Sequence, residues 1–157
     1  MKVSQLLSRE SVLVHADVPD ASNALGILVE LQEASGIITN GTAYYNAVCD
    51  RETAGGSTAI GEGIALPHAC NAGVAAPGVA ALGLSDGIDW GAPDGLPVDL
   101  IFMVAMPPRA QSEHLLILAR LVNLLSDNTL TRALRQAQSR ERFIELLARA
   151  EAERFAD

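Results

Sequence analysis

Between Pro97 and the pair Pro107-Pro108 the sequence reads Val98-Asp99-Leu100-Ile101-Phe102-Met103-Val104-Ala105, apolar at almost every position. Proline has no amide hydrogen for a ladder, so a strand over Val98–Ala105 ends at Pro107-Pro108. A half-exposed strand alternates apolar and polar residues. A run apolar on both alternations predicts a central strand buried on both faces. Both sides of the sheet must then be covered, and the rest of the chain offers helices to do it. The fold class expected is α/β, a mixed central β-sheet flanked by helices on both sides, with residues 1–157 forming one domain.

The other elements follow from local signals. Val12-Leu13-Val14, Ile64-Ala65-Leu66 and Val79–Leu84 read as strands, and the glycines and prolines of Ser85–Leu96 predict a long turn-rich connection. Asp20 is suited to cap a helix running to about Ser35, stopped by Gly36. A second helix begins near Asn40 or Thr42, buries Tyr44, Ala47 and Val48, and stops at Gly55-Gly56. Ser112 is the expected N-cap of a third, with Leu115, Leu118, Val122 and Leu125 as its buried stripe. Asp127 and Ser139 cap two more, through Arg135 and from Arg140 to about Arg154.

Composition excludes several classes. Hydrophobic residues make up 49% of the chain and aromatics only 4%, so the core is aliphatic. A net charge of -8 argues against nucleic acid or an anionic membrane surface as the main partner. The longest strongly apolar run, Leu100 to Met106, is too short to span a bilayer, and the N-terminus lacks a signal-peptide core, so a cytoplasmic protein without membrane insertion is expected. Cys49 and Cys70 form no C-x-x-C pair and read as reduced structural thiols. His68 with Cys70 gives two potential ligands, too few for a metal site, and no metal or other cofactor is expected.

Chemistry concentrates in Gly56-Ser57-Thr58-Ala59-Ile60-Gly61-Glu62-Gly63-Ile64-Ala65-Leu66-Pro67-His68. Glycines let the main chain approach a ligand closely, so the amides around Gly61 and Gly63 could face an anion; hairpin-turn glycines are the other reading. Pro67 should stop the preceding strand just before His68. With an ordinary pKa near ~6.5, His68 offers a neutral nucleophilic nitrogen, unless it is a surface loop histidine. His114, at the second position of the helix after Ser112, would sit where first-turn amides attract anions, or would face solvent. Arg51 at the preceding helix end could reach the same anion or only complement the helix dipole. A hydrolase with His68 as base lacks a G-x-S-x-G elbow around Ser57 or Thr58, and no Walker lysine follows the loop.

Taken together, Arg51-Glu52, the stretch GSTAIGEGIALPH, Gly87-Ile88-Asp89-Trp90, Asp94 through Phe102 and Glu113-His114-Leu115 resemble the type-2, fructose/mannitol-like enzyme IIA domains of the bacterial phosphoenolpyruvate-dependent phosphotransferase system, and among them the stand-alone nitrogen-regulatory members. The resemblance covers essentially the whole chain. It implies that His68 accepts a phosphoryl group from the phosphocarrier protein HPr, that His114 steadies it, and that Arg51 lies near the site. Thr58 is expected to orient the His68 ring. The resemblance also implies a downstream enzyme IIB or a regulated transporter or kinase, the regulatory role being favoured over sugar transport; a docking module without phosphotransfer is a further reading. Two departures from the family pattern stand out. Thr53-Ala54-Gly55-Gly56 is one residue longer than usual, and Ala69-Cys70 replaces the more common glycine and basic residue.

Overall fold

The computed structural model describes residues 1–156. In chain order they form α1 (Val3–Leu6), a 3-10 turn (Arg9–Ser11), β1 (Val12–Ala16), α2 (Ala21–Ala34), α3 (Gly41–Ala54), β2 (Ala59–Gly61), β3 (Ile64–Ala65), β4 (His68–Cys70), β5 (Gly78–Ile88), β6 (Val98–Met106), α4 (Gln111–Leu125), α5 (Asn128–Gln136) and α6 (Arg140–Arg154). The strands make one six-stranded sheet in the order β1-β5-β6-β3-β2, with β4 also paired to β6. β6 runs antiparallel to β5 and parallel to β3 and β4, so the sheet is mixed.

The apolar run is the axis of this sheet, as its composition requires. Leu100, Phe102, Val104 and Met106 pack on one face against Ile117, Leu121 and Leu124 of α4, Leu130 of α5 and Phe143 and Leu147 of α6. Ile101, Met103 and Ala105 pack on the other against Leu25 and Leu28 of α2 and Tyr44 and Val48 of α3. Successive side chains thus feed two separate cores, which is why no alternation is visible in β6. Tyr44 also donates from its hydroxyl to the Val104 carbonyl at 2.8 Å, fixing α3 to the central strand.

Helix starts follow the side-chain caps. Asp20 accepts from the Asn23 amide at 2.9 Å, Asn40 from Ala43 at 3.1 Å, Asp127 from Thr129 at 2.9 Å and Ser139 from Arg142 at 3.1 Å. Each such cap contributes about 1 kcal/mol. The exception is α4, which begins at Gln111 with Ala110 as an uncapped N-cap instead of starting at Ser112. Its buried stripe is His114, Ile117, Leu121, Leu124 and Leu125, rotated from the one expected, and Leu115 and Val122 are 70% and 45% exposed. This helix is apolar nearly all round, so periodicity alone could not tell its inner face from its outer one.

Two strand expectations also gain detail. β5 continues through Ser85, Asp86 and Gly87 to Ile88, with a register shift after Gly83, so less of the Ser85–Leu96 segment is loop than its glycines suggested. The strand before His68 does stop ahead of it, as Pro67 predicts, but the pairing resumes at once. β3 pairs Ile64 with Leu100 and Ala65 with Ile101, and β4 resumes in the same register with His68 opposite Val104. The Val104 amide donates to the Pro67 carbonyl at 3.0 Å, so proline withdraws one donor while the ladder passes through it.

The N-terminus is tied down by one buried carboxylate. Glu151 of α6 accepts from the amides of Val3 at 2.7 Å and Ser4 at 2.9 Å, from the Ser4 hydroxyl at 2.8 Å, and from Arg120 of α4 at 3.3 Å. Burial alone would raise its pKa, and the bonds from Ser4, Val3 and Arg120 outweigh burial and hold it below the ordinary value. Glu151→Gln places an amide NH2 against those donors and should lower unfolding free energy by about 3 kcal/mol in urea titrations. Because the folded pKa is depressed, the wild-type contribution is fully present above the unfolded carboxyl pKa, about 4.3, and is lost as pH falls through the lower folded value. The variant should lack that acid limb.

Candidate functional site

His68 is the first residue of β4, and the break at Pro67 decides how its ring is held. The Leu66 amide bonds the Thr58 carbonyl at 3.1 Å, while the Leu66 carbonyl lies 2.7 Å from His68 Nδ1. A carbonyl only accepts, so Nδ1 carries the proton, and in the neutral ring Nε2 keeps its lone pair. Burial lowers the His68 pKa below its ordinary value. The Leu66 bond and Glu52 push it up, and Arg51 pushes it down. The neutral, nucleophilic ring is therefore favoured at neutral pH.

His114 comes to it from α4. The two ring centroids are 5.1 Å apart with the planes at 66°, an edge-to-face contact. His114 is the fourth residue of α4, and its amide bonds the Ala110 carbonyl at 2.9 Å. It therefore points inward and lies 9% exposed, contrary to the expectation of a second-position residue at an open helix N-terminus. Its Nδ1 is 3.1 Å from Cys70 Sγ, and its Nε2 is buried and has no hydrogen-bond partner among the described residues. Burial first, and the charge His68 can carry second, push its pKa down to about 4.

The hollow in front of His68, about 230 Å³, is lined by Arg51, Ser57 to Ile60, Leu66, Leu118 and Val122. Arg51 faces it despite the longer loop that follows, and donates from Nη1 to the Gly56 carbonyl at 3.1 Å. A larger hollow, about 460 Å³, lies between α2, α3 and Trp90 and includes neither histidine.

Thr58 does not orient His68. Its hydroxyl and amide both bond the Glu52 carboxylate, and the orienting role falls to the Leu66 carbonyl. Gly61 and Gly63 do not line the hollow either. With Glu62 between them they form the β2–β3 turn, with φ of 92°, 60° and 79°. The turn is held by Asp94, which accepts from the Glu62 amide at 2.9 Å, and by Arg135, which donates to the Glu62 carbonyl at 2.6 Å. A Cβ on Gly63 would stand 2.9 Å from Arg135 Nη2, so these glycines serve the hairpin. Ser57 Oγ donates to the Trp90 carbonyl at 2.8 Å and is not a free nucleophile. His15 sits elsewhere, with Nε2 2.9 Å from the Ala137 carbonyl.

Sequence reasoning missed Glu52 as the clamp on Thr58, the Leu66 carbonyl, and the contact of Cys70 with His114. The Leu66-Pro67 pair carried a signal for the second, because a residue before proline is held extended. Among the described residues no group of three or more His, Cys, Asp or Glu could hold a metal ion, and no helix is long and apolar enough to cross a membrane.

Comparison with known proteins places this arrangement. The chain is 33% identical over 153 residues to the nitrogen regulatory protein of Escherichia coli, covering 96% of this chain and 92% of that protein. It is 33% identical over 147 residues to the fructose-specific EIIABC component of Bacillus subtilis; that match takes in 94% of this chain but only 23% of the relative, so the chain spans about a quarter of that protein's length. Among solved structures, nitrogen regulatory protein IIA-Ntr from Neisseria meningitidis superimposes with a TM-score of 0.84 at 27% identity, over 92% of this chain and 98% of that one. A model of the family described as "Phosphoenolpyruvate-dependent sugar phosphotransferase system, EIIA 2" matches residues 5–150. With two imidazoles in contact beside a proline-broken strand, and with sequence and fold in agreement over almost its whole length, the chain belongs to the EIIA 2 family of the phosphoenolpyruvate-dependent sugar phosphotransferase system.

Proposed function

We propose that the protein is a phosphohistidine carrier in which His68 Nε2 accepts a phosphoryl group from HPr, and that its phosphorylation state acts mainly as a regulatory signal. The observation that carries this reading is the His68 Nδ1 bond to the Leu66 carbonyl, which leaves Nε2 as the ring's basic nitrogen. In the transfer, the Nε2 lone pair forms a new N–P bond as the N–P bond to the donor imidazole breaks, and the donor nitrogen keeps the electron pair. Positive charge develops on the His68 ring, and Nδ1–H to the Leu66 carbonyl spreads it. Phosphoryl transfer asks little covalent work of the protein, so holding the nucleophile in line and stabilising the oxygens is the main contribution. His114 supplies a neutral donor beside the group, and Arg51 a positive charge at the hollow's rim.

Several features favour a protein as the phosphoryl donor. Ile60, Leu115, Leu116 and Val122 are large exposed hydrophobics, and two of them line the hollow in front of His68. An apolar rim around a single reactive nitrogen suits the face of a small carrier protein better than a sugar, which needs convergent polar groups. The regulatory reading rests on relatives of about this chain's length, of which it covers 92% to 95% in the Escherichia coli and Bradyrhizobium diazoefficiens proteins. Transfer to an enzyme IIB is the second reading. It is favoured by 31% identity to the fructose-specific EIIA component of Haloferax volcanii, 89% of which is covered.

The test is intact mass after incubation with phosphoenolpyruvate, enzyme I and HPr. The wild type should gain one acid-labile phosphoryl group, and His68→Ala none; full labelling of His68→Ala would sink the assignment. His114→Ala should fold and become labelled, with transfer slowed roughly 10- to 100-fold. Adding a cognate IIB and finding the group moved there quantitatively would favour sugar transport over regulation.

A second expectation concerns pH. Both histidines have folded pKa values below the ordinary ~6.5, so the unfolded chain binds protons more tightly and the fold should lose stability as pH falls below that value. In a proton NMR titration His114 should titrate near pH 4. His68→Asn should raise that midpoint by removing a neighbouring charge, yet leave it below ~6.5 because burial, the larger cause, remains.

A further inference from the structure

The carrier reading leaves one contact unused. Cys70 stands two residues after His68 on β4, so the two side chains share a face of the strand, and His114 packs against both. The strand is held there by its ladder to β6, with His68 opposite Val104 and Cys70 opposite Met106. Cys70 Sγ is 3.1 Å from His114 Nδ1, while His114 Nε2 is buried and has no partner among the described residues. We infer that Cys70 is a positioning residue of the phosphoryl site: its S–H donates to His114 Nδ1 and so holds that ring in the tautomer whose Nε2–H is the free donor beside His68.

The direction of the bond is set by what each pairing leaves at Nε2. A thiol is a weak donor and a weak acceptor, so its strength does not decide, but S–H to Nδ1 is the pairing that leaves an Nε2–H for the phosphoryl oxygens. Burial raises the Cys70 pKa, which keeps the proton on sulfur at neutral pH. The opposite tautomer would also aim a bare Nε2 lone pair at the phosphoryl oxygens, acceptor against acceptor. With the proton on Nε2, the same nitrogen is an unsatisfied buried donor in the resting protein, and the incoming phosphoryl oxygen is the acceptor that relieves it. Cys70 therefore acts through His114 and need not touch the phosphoryl group. The role rests on the carrier reading of His68; the tautomer itself does not.

The two can be tested apart. Long-range proton–nitrogen correlation spectra of the unphosphorylated protein at about pH 7 read the His114 tautomer directly in wild type, Cys70→Ser and Cys70→Ala. Wild type and Cys70→Ser, whose hydroxyl can also donate, should show the proton on Nε2, and Cys70→Ala should show a mixture. Transfer from phospho-HPr should fall roughly fivefold in Cys70→Ala, the worth of one neutral hydrogen bond, and recover in Cys70→Ser to within about twofold of wild type. A wild-type proton on Nδ1 overturns the inference, as does unchanged transfer in Cys70→Ala. Cys70→Ser as slow as Cys70→Ala would overturn it too, because the sulfur would then act only by filling space. A wild type that takes no phosphoryl group from HPr overturns the carrier reading, and the role of Cys70 with it, while the spectra still decide where the proton sits.

Discussion

The hydrogen bond from His68 Nδ1 to the Leu66 carbonyl depends on a proline that would usually be read as a strand breaker. Pro67 interrupts the ladder between β3 and β4, yet the two pieces keep one register on β6. The missing amide therefore costs the sheet one bond and no geometry, because the Pro67 carbonyl still takes the Val104 amide. What the interruption creates is a Leu66 carbonyl turned toward the next side chain but one. The chain thus orients the His68 ring with a main-chain atom beside the central sheet. His114 of α4 meets that ring edge to face.

Electrostatics at the site runs against the charge of the whole molecule. On the proposed function, a chain with a net charge of -8 would receive a dianionic group at two imidazoles that burial keeps neutral. Neutral rings are cheap to bury, and an unprotonated His68 is the form with a lone pair to offer. Arg51 is a cation at the rim, held at the end of α3 by its bond to the Gly56 carbonyl. The glutamate next to it, Glu52, is occupied with Thr58.

Much of the fold was legible because its signals are local. Asp20, Asn40, Asp127 and Ser139 cap the helices that follow them, and the doubly apolar β6 announced a sheet covered on both faces. What could not be read was orientation. Around α4 the residues Leu115 through Leu118 are all apolar, so two stripes fit the periodicity, and the one through Leu115 and Val122 is not the buried one. A neutral buried histidine behaves as a core residue, and nothing in its letter says so. Gly61 and Gly63 erred in the opposite sense: their need for positive φ was real, but the hairpin and its Arg135 and Asp94 ties use it, away from His68. The contact of Cys70 with His114 joins residues 44 apart in sequence, and only the sheet brings them together.

The sheet's margins next to the site carry a last consequence. β2 and β4 are three residues each, and Pro67 sits just ahead of β4. No long row of unpaired amides and carbonyls is on offer there, so a visiting protein cannot dock by extending the sheet with a strand of its own. On the proposed function, a partner would bind through side chains, on a surface centred on His68 Nε2. Contacts of that kind form and part quickly when the buried area is small, and the proposed carrier, which would have to release one protein before meeting the next, is served by brief encounters.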